Sequence, residues 1–238
     1  KPTQGRILFD NEDVTSQKTE TRNISQVFQF PVIYNTMSVY DNLAFPLKCR
    51  DFEKNKIEER VQSVSETLNL SSFLNMPARK LTADQKQLIS LGRGLVREDV
   101  AAVLMDEPLT VIDPDLKFRL RRNLKEINEQ YKTTLVYVTH DQNEAMTFAD
   151  NIIVMDQGEI VQVGLPKDLF EKPRTTFVGY FIGSPAMNLF KSEVSSKNTI
   201  KFNNLEIKTE TDLSKLKNKA VKLGIRSEFI KIANDQKE

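Results

Sequence analysis

Two largely apolar segments of strand length, residues 101–105 and 134–138, enclose a segment in which apolar residues recur at helical spacing. Pro114 stands at the start of that helical segment, where proline is favoured. Strands without an exposed polar face are typical of parallel sheets that helices cover on both faces, and parallel strands require such a helical crossover. The sequence therefore predicts an α/β fold with a parallel sheet covered on both faces.

The regions on either side of this central part have other patterns. Residues 38 to about 96 are predicted as a mostly helical insertion, because apolar residues recur there every three or four positions. From residue 184 onward, short strands with tight turns predict a partial all-β module that extends to residue 238. Strands are also predicted at residues 6–10, 24–29, 199–202, 205–207 and 221–225. The strands predicted at 151–155 and 159–163, with a Gln157–Gly158 turn between them, complete the alternating pattern and are expected to belong to the parallel sheet.

Polar residues follow both apolar strands of the central part. Asp106 and Glu107 come directly after the first strand, and His140 follows the second. Since open α/β sheets bind ligands at the carboxyl ends of their strands, we expect Glu107 and His140 to share one site. Asp106 is suited to hold Mg²⁺, directly or through water, and Glu107 to polarise an attacking water. Taken singly, these residues also fit an acidic turn and a structural histidine.

Further polar positions stand at the predicted ends of elements. Gln29 follows an apolar strand, and its amide is long enough to reach a metal ion or a metal-bound water. Thr82 and Gln85 have the spacing of a capping box, and Asp113 stands where a helix N-cap is expected before Pro114. Each position alone fits an ordinary strand end or helix cap.

Composition excludes several classes of function. The 238 residues carry 34 Lys and Arg against 33 Asp and Glu, so the net charge is +1. Nucleic-acid-binding proteins neutralise phosphates with excess positive charge, and nucleic acid is therefore not expected as a main partner. One cysteine and one histidine are too few for an internal disulfide or a His/Cys zinc site. No apolar segment approaches the roughly 20 residues that span a bilayer, so we expect a cytoplasmic protein.

Taken in chain order, these positions resemble the ATP-binding cassette (ABC) transporter ATPases. The likeness covers about residues 1–183. We expect these residues to form the ATPase domain and residues 184–238 to form the partial all-β module. Within the family, residues 37–45 and 170–173 resemble importers of maltose, glycerol 3-phosphate and other sugars or polyols, and 224–228 resemble part of their OB-like regulatory domain. Gln29 is similar to the family's Q-loop, residues 81–85 to its signature motif and Asp106–Glu107 to its Walker B motif. Asp113 is similar to its D-loop and His140 to its H-switch.

The resemblance implies a RecA-like P-loop NTPase core with a helical subdomain, followed by the start of an OB-like domain. It implies an ATP-hydrolysing importer subunit with ATP and Mg²⁺ as cofactors, which lies at the cytoplasmic side of the inner membrane. The implied partners are a second ATPase subunit, two membrane permease subunits and, indirectly, a periplasmic solute-binding protein. The implied roles are catalysis for Glu107 and His140, metal binding for Gln29 and Asp106, and nucleotide or interface contacts for Gln29, Thr82, Ala83, Asp84, Gln85 and Asp113.

One departure from the family concerns the phosphate-binding loop. The pattern G-x-x-x-x-G-K-[ST], known as Walker A, is absent from the 238 residues, and residues 1–7 resemble the strand that follows it. We therefore expect that the chain is truncated after that loop, and that the C-terminal module is also cut before a barrel can close. Without the N–H groups and the lysine of the loop, residues 1–238 are expected to bind ATP poorly or not at all.

A second departure lies in the signature motif, where the family carries Leu-Ser-Gly-Gly-Gln. Thr82 keeps a hydroxyl, but Ala83 and Asp84 replace the two glycines. A carboxylate about 4 Å from a phosphate charge, at an effective dielectric of about 20, costs about 4 kcal/mol, or several hundredfold in affinity. Asp84 therefore points away from the nucleotide, or the site it completes is weak. A homodimer would carry this defect twice, which favours a heterodimer.

Two other interpretations remain open. A regulatory ATPase partner that does not hydrolyse ATP is consistent with Ala83 and Asp84, although Glu107 and His140 argue against complete loss of catalysis. A soluble cassette protein of DNA repair or translation is the other. The neutral charge, the lack of a long heptad insertion and the β module after residue 184 weigh against it.

Overall fold

The computed structural model describes residues 2–217 and 219–231. The chain divides into two compact units, Lys1–His140 and Asp141–Glu238. The strands and helices of the first unit, in chain order, are β1 (Leu8–Phe9), β2 (Glu12–Asp13), β3 (Ile24–Val27), α1 (Val39–Lys48), α2 (Lys54–Thr67), α3 (Ala83–Leu95), β4 (Ala102–Asp106), α4 (Pro114–Tyr131) and β5 (Thr134–Val138).

The central sheet of the first unit is parallel, with the strand order β3, β4, β5. Its middle strand β4 is buried on both faces, as the predicted parallel sheet requires. The prediction that helices cover both faces is wrong for β5, where Val136 and Val138 are 47% and 53% exposed. Successive side chains of a strand point to opposite faces, and along β5 a partly buried row alternates with an exposed row.

The two predicted N-terminal strands are shorter in the structure. Asp10 and Asn11 have positive φ angles, 48° and 68°, and turn the chain from β1 into β2, so the first strand ends at Phe9. The strand predicted over residues 24–29 ends at Val27, shortly before Pro31, which has no N–H to donate to a strand ladder. Gln29 therefore lies in the loop beyond β3.

The segment predicted as helical contains α1, α2 and α3. Ser38 caps α1 by accepting a hydrogen bond from the Asp41 N–H, and the predicted capping box of Thr82 and Gln85 begins α3. The helix α3 packs closely on its neighbours at Gly92 and Gly94. A Cβ at Gly92 would meet the side chain of Leu43 in α1, and a Cβ at Gly94 would overlap the side chain of Val27 in β3.

The second unit begins with α5 and ends with an antiparallel sheet. Its helices and strands are α5 (Gln142–Phe148), β6 (Ile152–Asp156), β7 (Glu159–Gly164), α6 (Pro166–Glu171), α7 (Thr176–Phe181), β8 (Asn188–Ser196), β9 (Thr199–Phe202), β10 (Leu205–Lys208) and β11 (Ala220–Ile225). The alternating pattern predicted β6 and β7 as part of the parallel sheet, and this is wrong: they form an antiparallel pair. Gln157 and Gly158, with φ angles of 49° and 84°, form the two-residue turn that joins them as a hairpin.

The C-terminal sheet has the order β10, β9, β8, β11, and all its pairs are antiparallel. The predicted β9, β10 and β11 are confirmed, and Asn203, in the tight turn between β9 and β10, has a positive φ of 50°. The strand β8 was not predicted. At the end of β11, the buried Arg226 donates hydrogen bonds to the carbonyls of Phe170 and Ile182 (2.9 and 2.6 Å). The domain boundary after residue 183 stays a prediction.

A helix able to cross a bilayer is absent from the described part of the chain. Even α4, at 18 residues, carries many charged side chains.

Candidate functional site

The carboxylate of Glu107 lies at the carboxyl end of β4 and contacts three polar side chains. Its Oε1 is 2.8 Å from Nδ1 of His140. Its Oε2 accepts hydrogen bonds from Nε2 of Gln29 (3.1 Å) and from Oγ1 of Thr110 (3.2 Å). The Glu107 side chain is 24% exposed and that of His140 is 73% exposed. The predicted convergence of Glu107 and His140 is confirmed, and Gln29 joins them; we call these four residues the Glu107 cluster.

The backbone of Glu107 is held in an unusual conformation. Its φ of 44° lies in the left-handed region, which costs a residue with a side chain about 1–2 kcal/mol. Three hydrogen bonds hold it there: its N–H donates to the carbonyl of Val138 (2.9 Å), and its carbonyl accepts from the N–H (3.3 Å) and from Oγ1 (3.1 Å) of Thr110. Such strain is typical of functional positions that the surrounding structure fixes in place.

The surroundings of Glu107 favour its ionised form. The hydrogen bond with His140 is the main cause that lowers the pKa of this carboxyl below its ordinary value. Partial desolvation acts in the opposite direction, and the hydrogen bond from Thr110 lowers the pKa further. An ionised carboxylate only accepts hydrogen bonds, so Glu107 is suited to orient or deprotonate a water molecule.

Oxygen atoms suited to a hard cation also lie near this strand end. Asp106, the last residue of β4, is exposed, and Gln29 carries an amide oxygen in addition to the Nε2 that it donates to Glu107. Carboxylate and amide oxygens are ligands that Mg²⁺ accepts. Within residues 2–217 and 219–231, however, no group of three or more His, Cys, Asp or Glu side chains is arranged to hold a metal ion.

The remaining predicted site residues stand at helix N-termini. Thr82 N-H donates to Oε1 of Gln85 (3.1 Å), and the Gln85 N–H donates to Oγ1 of Thr82 (3.4 Å). These bonds complete the capping box, with Ala83 and Asp84 in the first turn of α3. Asp113 caps α4 by accepting a hydrogen bond from the Asp115 N–H (3.0 Å). The contacts of these residues are thus those of helix caps, whereas Gln29, Glu107 and His140 contact one another.

Sequence reasoning did not select two residues near the site. Thr110, three residues after Glu107, lies in the turn that follows β4 and contacts the carboxylate directly. Gln87 is fully buried on α3 and donates hydrogen bonds to backbone carbonyls near Gln29 and Glu107. The available signal for Gln87 was its position on the apolar face of α3, one turn before Leu91, because a polar residue in such a stripe indicates a buried hydrogen-bond network.

Comparison with known families agrees with this geometry. Residues 1–110 match the family model described as ABC transporter, and residues 183–230 match the MalK OB fold domain. The chain belongs to the ABC transporter ATPases. This agrees with the parallel sheet that carries Glu107 and with the antiparallel sheet formed by β8 to β11, as the resemblance implied.

Several curated ABC transporter proteins are similar over most of the chain. The sn-glycerol-3-phosphate import ATP-binding protein UgpC of Pectobacterium atrosepticum is 39% identical over 98% of this chain and 66% of its own length. The trehalose/maltose import ATP-binding protein MalK of Thermococcus litoralis is 40% identical over 89% of this chain and 58% of its own length. The oligosaccharides import ATP-binding protein MsmX of Bacillus subtilis is 42% identical over 81% of this chain and 52% of its own length. The chain thus spans between about half and two thirds of these relatives.

A solved ABC transporter structure shares the fold. The protein cbiO1 of Clostridium perfringens, part of the ABC transporter complex cbiONQ, aligns with a TM-score of 0.64 and 27% sequence identity. The alignment covers 72% of this chain and 70% of cbiO1.

Proposed function

We propose that these 238 residues belong to an ATP-hydrolysing subunit that drives the import of sugars or polyols such as glycerol or glycerol 3-phosphate. The arrangement of the Glu107 carboxylate, held by Gln29, Thr110 and His140, is the observation that carries the proposal. Phosphoryl transfer depends mainly on positioning a nucleophile and stabilising charge, and a fixed, ionised carboxylate at a strand end suits the first task. The UgpC, MalK and MsmX relatives are named as import ATP-binding proteins.

In this proposal Glu107 orients the attacking water and His140 contacts the terminal phosphate. Asp106 and Gln29 would hold Mg²⁺, directly or through water, and the ion would supply positive charge beside the phosphates. The side chains present therefore fit the water-facing and metal-facing parts of a nucleotide site, whereas the 238 residues contain no G-x-x-x-x-G-K-[ST] segment to hold the phosphates.

The proposed partners are a second ATPase subunit and two membrane permease subunits, with a solute-binding protein acting through the permeases. The subunit would lie at the cytoplasmic side of the inner membrane. An apolar surface between β3 and α1 supports docking of a permease helix, because Phe30 is 70% exposed and Val32 52% exposed there. Tyr34, at the border of this surface, packs against Phe45 of α1 with ring centroids 4.7 Å apart.

We further propose that the second ATPase is a different chain with an intact signature motif. Asp84 places a carboxyl group in the first turn of α3, where N–H groups and the helix dipole would otherwise favour an anion. A homodimer would contain this carboxylate at both nucleotide sites. A heterodimer contains it at one site only and keeps the other site intact.

The Asp84 carboxyl group in the first turn of α3 also favours a second candidate function, a regulatory ATPase partner that binds nucleotide without hydrolysing it. Ala83 and Asp84 weaken only the site that α3 completes, whereas the Glu107 cluster belongs to the chain's own site. Hydrolysis by the isolated chain or by its heterodimer separates this candidate from the main proposal.

The test uses the natural polypeptide that carries these residues, reconstituted with its permease subunits with and without a second ATPase. We expect ATP-dependent import that requires the second ATPase. Glu107→Gln is expected to lower turnover by about 100-fold or more with nucleotide binding retained. Glu59→Gln, which removes a carboxylate from an exposed position of α2, is the matched control and should leave turnover unchanged.

Three outcomes would contradict parts of the proposal. Unchanged hydrolysis in Glu107→Gln would remove Glu107 from the catalytic role. Nucleotide binding without hydrolysis in every wild-type assembly would favour the regulatory function. Efficient import without a second ATPase would contradict the heterodimer.

A further inference from the structure

Gln87 joins three parts of the first unit through a single amide group. It lies in the second turn of α3, and its side chain is fully buried. Its Nε2 donates hydrogen bonds to the carbonyl of Phe28 (3.1 Å) and to the carbonyl of Pro108 (2.8 Å). Phe28 directly precedes Gln29, and Pro108 directly follows Glu107. One nitrogen atom therefore holds the two backbone segments that carry Gln29 and Glu107.

The orientation of this amide is determined by its partners. Both partners of Nε2 are carbonyl oxygens, which only accept, so an oxygen atom in its place would face two acceptors. The two N–H groups of Nε2 are thus both used. The other end of the amide is less well satisfied, because Oε1 of Gln87 is buried and has no hydrogen-bond partner among the described residues.

The unpaired Oε1 of Gln87 indicates that the amide does more than stabilise the fold. A buried acceptor without a partner opposes folding, and this offsets part of what the two donated bonds contribute. A methionine has nearly the same shape and brings no unpaired oxygen of its own, but it would leave the carbonyls of Phe28 and Pro108 without this donor. What the amide provides and methionine cannot is a fixed distance between the two carbonyl-bearing segments.

We propose that Gln87 is a positioning residue that holds Gln29 and Glu107 in register for hydrolysis. This inference rests on the proposed ATPase function. Gln87 contacts neither the reacting atoms nor the Glu107 carboxylate; it acts through the backbone on either side of the cluster. Because Gln87 and the Thr82–Gln85 capping box belong to the same rigid helix, a shift of the N-terminus of α3 is transmitted to Gln29 and Glu107 together.

The experiment compares Gln87→Met with the matched variant Asn123→Leu in the natural polypeptide. Asn123 of α4 also donates from its amide to a backbone carbonyl, that of Thr67 (2.7 Å), but it does not contact the cluster segments. Gln87→Met is expected to lower kcat for ATP by about 10- to 100-fold with KM changed less than about twofold, since small misplacements of reacting groups have effects of this size. Asn123→Leu should change neither constant.

Amide hydrogen exchange supplies a readout that does not depend on activity. Gln87→Met is expected to raise exchange in the segments 28–32 and 108–112, and Asn123→Leu is not. If the wild type does not hydrolyse ATP, the proposed function fails, and the exchange comparison still decides whether Gln87 holds the two segments. Unchanged exchange in both segments would overturn the positioning role.

A second variant addresses loss of folding. Gln87→Glu keeps the length of the side chain but places carboxylate oxygens against the two carbonyls, so it should lower kcat more than Gln87→Met does. Wild-type kcat in either variant, or an equal loss of kcat in Asn123→Leu, would overturn the proposal. Failure of both Gln87 variants to fold would also overturn it, because the amide would then be required for the fold itself.

Discussion

Nδ1 of His140 lies 2.8 Å from Oε1 of Glu107, although 33 positions separate the two residues in the chain. The parallel register explains this contact, because Asp106 pairs with Val138 and the Glu107 N–H donates to the carbonyl of Val138. Glu107 and His140 stand one and two residues beyond these paired positions, respectively. A slip of one residue in this register would turn the β5 side chains to the opposite face and separate His140 from Glu107.

The left-handed backbone of Glu107 leads to a prediction about stability. Glycine adopts a positive φ without steric cost, whereas alanine does not. Because both substitutions remove the carboxylate and its contacts, Glu107→Gly should be more stable than Glu107→Ala by about 1 kcal/mol, the cost of a Cβ in this region. Urea unfolding midpoints of the two variants measure the difference. Equal midpoints, or a more stable alanine variant, would show that the backbone at residue 107 relaxes.

The pH dependence of stability follows from the Glu107 carboxyl. Its pKa is lowered in the folded protein, chiefly by the hydrogen bond with His140. A carboxyl with a lowered pKa stabilises the fold fully above its ordinary pKa of 4.5, and this contribution is lost as the pH falls through the lower folded-state value. The difference in unfolding free energy between wild type and Glu107→Gln should therefore be fully present just above pH 4.5 and narrow as the pH falls below 4.5.

Urea unfolding at a series of pH values from 3 to 6 tests this dependence. Glu59→Gln serves as the control for the loss of one carboxylate from an exposed helix. A difference between wild type and Glu107→Gln that stays constant down to pH 3 would contradict the prediction.

Sequence patterns predict the strands and helices of the central part because each is defined by residues close together in the chain. Examples are the apolar runs of β4 and β5, the helical spacing of α3 and α4, and the capping residues Thr82 and Asp113. The convergence of Glu107 and His140 followed from one topological rule, that parallel strands end at the same sheet edge.

The features that sequence patterns did not predict depend on contacts between distant segments. Gln87 is an ordinary helix residue by its local pattern, and its function in the structure arises from carbonyls 59 and 21 positions away. The exposed side chains of β5 likewise depend on which elements cover the sheet. The hairpin of β6 and β7 is a different case, because its Gln157–Gly158 turn is visible in the sequence while the same segment also fits the α/β alternation that predicts a parallel sheet.

Asp84 provides a prediction about activity. If, as proposed, α3 completes a nucleotide site and the Asp84 carboxylate weakens it, Asp84→Asn should raise ATP turnover several-fold in the assembled transporter, since the repulsion of a phosphate is removed. Asparagine is nearly the same size, so the change isolates charge. The gain should shrink at high salt because ions screen exposed charges. Glu59→Gln, with the same change in net charge, should leave turnover unchanged, and an equal gain in that variant would exclude a specific effect of Asp84.

The close packing of α3 on β3 provides a test of the fold itself. Alanine normally stabilises a helix relative to glycine by about 1 kcal/mol. At Gly94, however, a Cβ would overlap the side chain of Val27, which is fully buried. Gly94→Ala should therefore destabilise the protein by about 1–3 kcal/mol, as overpacking of a core does.

The double variant Gly94→Ala with Val27→Ala identifies the cause. Removing the methyl groups of Val27 makes room for the new Cβ, so the double variant should lose less stability than the sum of the two single variants, by about 1 kcal/mol or more. Asn55→Ala, at an exposed position of α2, controls for helix propensity and should be neutral or slightly stabilising. Urea unfolding measures the stability of the two single variants, the double variant and Asn55→Ala relative to wild type. Strictly additive losses would mean that Gly94 is required for a reason other than its contact with Val27.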